Sequence, residues 1–131
     1  DTELKAYLEQ GVFGYYQVPD SYFEAFMQWE KDVHGYSVKR EWLRVTPGVV
    51  PAINWFLQSM TAPGDEVLVL TPVYYPFMDA VKNNERKLVC CDLAAQDGTY
   101  AIDFASLEET LRTHHIKAFV FSSPHNPVGR V

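Results

Sequence analysis

Apolar residues recur along this chain in two rhythms. Up to about residue 60 the spacing is helical. Leu4, Tyr7 and Leu8 share one face of a helix over residues 2–10, which Gly11 stops. Tyr22, Phe26, Trp29 and Val33 form a stripe on a second helix, capped by Asp20 or Ser21 and ending near His34 and Gly35. Residues 42–46 read as a short strand that Pro47 and Gly48 break. Ile53, Phe56, Leu57 and Met60 then mark a third helix beginning at about Val49, and Pro63-Gly64-Asp65 makes a turn.

Past that turn the rhythm changes to unbroken apolar runs at residues 67–70, 88–91 and 118–121, as expected of strands covered on both faces. Between them lie a helix around Phe77, Ala80 and Val81, a turn at Gln96-Asp97-Gly98, and a helix capped by Asp103 that carries Phe104, Leu107 and Leu111. Strand, helix, strand, helix, strand is the grammar of an α/β protein with a mostly parallel sheet. The 131 residues are expected to form a single domain piece: a helical lead-in and short strand over residues 1–46, then a βαβ-type core over residues 47–131.

Composition narrows the function. With 47% hydrophobic residues there is ample material for a core, and a net charge of -6 argues against a nucleic-acid footprint, which needs a basic face. No apolar run is long enough for a bilayer span, so neither a membrane nor a nucleic acid is an expected partner. Cys90 and Cys91 are adjacent, point to opposite faces of a strand and have no zinc-type spacing. They read as reduced core cysteines of a cytoplasmic protein, with no metal site.

Ligands of an open parallel sheet bind beyond the carboxyl ends of its strands, and three segments fall in such places. In Val45-Thr46-Pro47-Gly48-Val49-Val50-Pro51, Gly48 permits a tight turn into a helix whose first amides, those of Val49 and Val50, offer an anion site; taken alone, the segment reads more simply as an ordinary strand-to-helix turn. Thr71-Pro72-Val73-Tyr74-Tyr75-Pro76-Phe77 is a stiff aromatic loop that either stacks on a planar ligand or packs on its own helix. In Ser123-Pro124-His125-Asn126-Pro127-Val128-Gly129-Arg130, prolines restrict Asn126 on both sides, which suits a preorganised amide as well as a plain turn. No Ser, Cys or acid stands at motif spacing to make His125 a catalytic base.

In order along nearly the whole chain, these segments resemble the aspartate aminotransferase superfamily, the fold-type I pyridoxal-phosphate (PLP) enzymes of class I/II. With Val12-Phe13-Gly14-Tyr15, Pro19, Trp29 and His34-Gly35, the resemblance is finest to the cystathionine β-lyase-like C–S lyases. It implies a PLP-dependent transferase-like large domain of α/β class. The amides after Gly48, those of Val49 and Val50, would hold the cofactor phosphate. Tyr74 would stack on the pyridine ring, and Asn126 would donate to its phenolic oxygen and help to orient the substrate carboxylate. Tyr15 would reach the phosphate of the neighbouring subunit in a homodimer. Thr71–Pro72 and Asn126–Pro127 are expected to be cis.

The family's Schiff-base lysine sits in a Ser/Thr-Lys-x-Phe-Asn segment, and none of Lys5, Lys31, Lys39, Lys82, Lys87 or Lys117 has that context. The residues as given therefore contain no catalytic residue, and the chain is expected to be the first part of a longer polypeptide that is inactive alone. The parent is expected to be a C–S β-lyase of sulfur-containing amino acids, with a class I/II aminotransferase as the alternative. A non-catalytic regulator or binding module on the same fold is an alternative of another kind. A flavodoxin-like module is disfavoured because no phosphate loop follows the first strand of the sheet.

Overall fold

The computed structural model describes residues 2–131, which divide into two compact units, the chain passing from one to the other between Val45 and Thr46. In the first, α1 (Thr2–Glu9) ends two residues before Gly11, and α2 (Asp20–His34) ends at Gly35, whose left-handed φ of 66° lets its N–H reach back to Lys31. The expected cap fails here. Asp20 lies inside α2, which is led by Pro19 with no side-chain cap. The stripe Tyr22, Phe26, Trp29 and Val33 is exposed; the buried ring is the neighbouring Phe23, over which the Arg40 guanidinium lies at 3.4 Å. The expected strand at 42–46 is also absent. Arg40–Trp42 close a short 3-10 turn, and although Leu43 is extended, no ladder partner joins it.

The second unit is a helix–sheet–helix sandwich. Its sheet contains β1 (Glu66–Thr71), β2 (Lys87–Asp92) and β5 (Ile116–Val120), all parallel, in the order β2-β1-β5. Only β1 has a neighbour on each side, and only β1 is buried throughout its apolar run. β2 and β5 alternate between covered and exposed positions, so their unbroken apolar character overstates their burial. The alternation settles the cysteines: Cys91 is buried, whereas Cys90 is exposed and is not a core residue. Both are free thiols, and partial burial with the Asp92 carboxylate nearby pushes the Cys90 thiol up.

On one face of the sheet, α3 (Val49–Met60) and α4 (Tyr75–Asn83) cover Val67 and Val69 through Ile53, Leu57, Phe77, Ala80 and Val81. On the other, Leu68, Leu70, Val89 and Cys91 pack under Leu107 of α5 (Phe104–Thr113). A small antiparallel hairpin, β3 (Ala94–Gln96) with β4 (Thr99–Ala101), leads into α5; Asp97 and Gly98, both with positive φ, make its turn. Sequence reading finds the turn but not the strands, which are three residues each. Among the described residues no helix is long and apolar enough to cross a membrane.

Two groups fix the rim of the sheet. Asp103 Oδ1 accepts the N–H groups of Ala105 and Ser106, both at 3.1 Å, so it caps α5 as expected. Asp103→Ala is expected to lower stability by about 1 kcal/mol in urea unfolding. Glu66 Oε2 accepts the His115 N–H at 2.8 Å and lies 3.4 Å from His114 Nδ1. Partial burial pulls its carboxyl up, but the His115 amide, the His114 ring and Lys87 outweigh this, and it titrates below its ordinary value. A depressed carboxylate stabilises the fold above its unfolded pKa and loses that contribution as pH falls through the folded one. Glu66→Gln should therefore be less stable than the native chain at neutral pH, with the gap in unfolding midpoint closing below about pH 4.

Candidate functional site

The carboxyl end of the sheet is where the chain reverses its lateral progress. From β1 it passes outward to β2, then returns across the sheet to place β5 on the other side of β1. The crevice between the ends of β1 and β5 is thus a topological switch point, the usual ligand position in an open α/β sheet. The loops leaving these two strands carry Tyr74 and Asn126. The Tyr74 N–H donates to the Asn126 carbonyl at 2.9 Å, so residues 52 positions apart are joined directly. One residue earlier, His125 Nε2 lies 2.9 Å from the Pro72 carbonyl oxygen. Thr71–Pro72 and Asn126–Pro127 are both cis, as is Ser123–Pro124, which was not expected.

Side chains at this end remain available. Tyr74 is 39% exposed, and its ring meets Tyr75 and Phe77 edge-on, with ring centroids 5.4 and 5.7 Å away. Packing on its own helix therefore takes its edge contacts without burying the ring. Asn126 is exposed, while His125 beside it is buried.

Helix α3 points its first turn the same way. Ile53, near its start, packs against the Val69 group toward the carboxyl ends of the strands as well as against the Val67 group, whereas Leu57, one turn later, belongs to the Val67 group at their beginning. The first intrahelical bond runs from the Ala52 N–H to the Gly48 carbonyl, and no side chain caps the helix. Pro51 has no N–H, so Val49 and Val50 carry the open donors at the positive end of the helix. Thr46 Oγ1 donates to the Gly48 carbonyl at 3.0 Å, closing the turn before them.

The opposite end of α3 is anchored by a polar cluster that the sequence does not announce. Arg86 donates to the Leu57 and Thr61 carbonyls at 3.0 and 2.6 Å, and Asn84 donates to Asn54 Oδ1 at 2.7 Å. Asn54 in turn donates to the Val50 carbonyl at 2.8 Å. A cationic group on the last carbonyls suits the negative end of the helix.

Two cavities flank this region. One of about 440 Å³ is lined by Val49, Ala52, Phe56, Phe77, Phe121 and others; one of about 250 Å³ is lined by Tyr100, Ser123, His125 and Arg130 among others. Ser122 lines both, and its buried Oγ has no hydrogen-bond partner among the described residues. Tyr74 and Asn126 line neither. Tyr15 belongs to the other unit, where its side chain is fully exposed.

Residues 5–131 match the model of the family described as aminotransferase class I and II. The chain belongs to that family. It is 40% identical over 127 residues to the cystathionine β-lyase PatB of Bacillus subtilis, covering 97% of this chain and 33% of the relative. Among solved structures, cystalysin from Treponema denticola, which contains a pyridoxal 5'-phosphate cofactor, superposes with a TM-score of 0.88 at 46% identity, covering 98% of this chain and 32% of that one. The PLP-bound C–S lyase from Staphylococcus hominis gives 0.88 at 33% identity, covering 97% and 33%. The chain thus spans about a third of the length of the relatives it matches.

Gly48 has φ 143° and ψ 170°, a region essentially closed to other residues. A Cβ there would meet Pro51 Cδ at an ordinary 3.8 Å, so the obstacle is the backbone and not crowding. Gly48→Ala should cost about 1–3 kcal/mol of stability, measured by urea unfolding, and displace the first turn of α3.

Proposed function

We propose that residues 1–131 are one piece of the PLP-binding large domain of a PLP-dependent C–S β-lyase acting on sulfur-containing amino acids in the cytoplasm. The observation that carries this reading is the joining of Tyr74 and Asn126 at the switch point, on the side of the sheet that receives the uncapped start of α3. The residues suit the cofactor. Val49 and Val50 offer two main-chain donors to a phosphate, Gly48 supplies the positive-φ turn that starts their helix, and the half-exposed Tyr74 ring offers a face to a planar heterocycle. Asn126 would donate its amide to the ring's phenolic oxygen and help to hold the substrate carboxylate. Tyr15 would serve the phosphate of a second subunit in a homodimer.

When bound, PLP supplies an electron sink for the α-carbanion of an amino acid. In a β-lyase a thiol then leaves the β-carbon; in an aminotransferase the amino group passes to a keto acid. The lyase is preferred because the cystathionine β-lyase PatB and the PLP-bound C–S lyase from Staphylococcus hominis each resemble 97% of the chain. Incubation of the full-length protein with cystathionine should release free thiol and ammonia. Transfer of the amino group to a keto acid without thiol release would decide for the aminotransferase.

Two further outcomes follow. In the full-length protein, Tyr74→Ala should weaken PLP binding by about 0.5–1.5 kcal/mol, roughly two- to tenfold, in a fluorescence titration. The 131-residue chain should release no thiol above a free-PLP blank. After borohydride trapping, peptide mapping should find no single lysine labelled stoichiometrically, because no lysine here has the attachment context.

A further inference from the structure

His125 is the one polar residue that is buried among the described residues, at 6% exposure, although it lies in a loop at the mouth of the sheet. Its surroundings account for that. The His125 N–H donates to the Arg130 carbonyl at 2.7 Å, its own carbonyl accepts the Gly129 N–H at 2.6 Å, and its Nε2 sits 2.9 Å from the Pro72 carbonyl oxygen. A carbonyl only accepts, so Nε2 must carry the proton. A ring nitrogen committed in this way has no lone pair for abstracting a proton from substrate.

The geometry is a two-rung clasp. Consecutive residues of one loop, His125 and Asn126, bond to residues 72 and 74 of the other: a side-chain donor to a carbonyl, then a carbonyl to an amide. We infer that His125 is a positioning residue, whose Nε2–H bond to Pro72 holds the Tyr74 ring and the Asn126 amide in register at the switch point. It thereby sets how tightly a planar cofactor and a substrate carboxylate are held, without touching either. The part concerning cofactor and substrate rests on the function proposed above; the clasp itself does not.

The test compares His125→Gln, whose side-chain amide reaches the Nε2 position, with His125→Leu, which fills the volume without a donor, in the full-length protein. Without cofactor, amide hydrogen exchange in residues 71–77 and 122–130 should accelerate together in the leucine variant, by roughly tenfold, as expected for loss of one hydrogen bond. Exchange in α5 should not change. PLP affinity should fall by a similar factor and KM for the amino acid should rise more than kcat falls, with glutamine restoring all three. Unchanged exchange in residues 71–77 of the leucine variant, or a folded glutamine variant with no recovery, would overturn the inference. Should the leucine variant not fold, the histidine-labelled nitrogen spectrum of the native protein decides: an Nε2 proton on His125 supports the clasp, and a bare Nε2 refutes it. If native protein binds no PLP, the proposed function falls, while the exchange data still judge the clasp.

Discussion

Val67, Leu68, Val69 and Leu70 lose almost all contact with solvent, two of them to α3 and α4 and two toward α5. At about 1.5–3 kcal/mol for each fully buried side chain, this strand is the largest concentrated source of stability in residues 46–131. Its burial also sets the geometry. Both faces must be covered, so helices flank the sheet; both edges are paired, so β2 and β5 lie on either side and the chain must cross over between them. The switch point at the carboxyl end is a by-product of that crossing.

How much of this could be read in the sequence depended on whether a signal was local. The Asp103 cap, the Pro63-Gly64-Asp65 turn and the apolar run of β1 are local, and each appears where the residues indicate. Burial is not local. The run at 88–91 is as apolar as β1, yet Cys90 is exposed because it points to the face opposite Val89 and Cys91, the two that pack toward α5. The α2 stripe is periodic, yet Phe23, one position off it, is the buried ring, because Arg40 lies over that position. Residues 42–46 have strand character without a partner, and propensity alone makes no ladder.

The candidate site divides in the same way. Gly48 and the donors after it were legible from glycine, proline and helix periodicity alone. Tyr74 and Asn126 could be singled out by their proline-bound loops, but no spacing rule predicts that the amide of one meets the carbonyl of the other. His125 has no triad partner in the sequence, and its contact to Pro72, 53 positions earlier in the chain, follows from no local signal. The Arg86–Asn84–Asn54 cluster left no sequence signal either, since its members gain meaning only when two helices lie side by side.

The open donors of α3 belong to the main chain, and this changes what mutation can do to them. A binding group built from an arginine or lysine side chain is lost by almost any substitution. Val49 and Val50 could be exchanged for most residues and the same two N–H groups would remain. The prohibitions are narrow: no side chain at Gly48, and no proline at 49 or 50, where a residue otherwise welcome in a first helical turn would remove a donor. A main-chain anion site of this kind would tolerate wide change in sequence, and its lineage would be recorded in one glycine and in what never follows it.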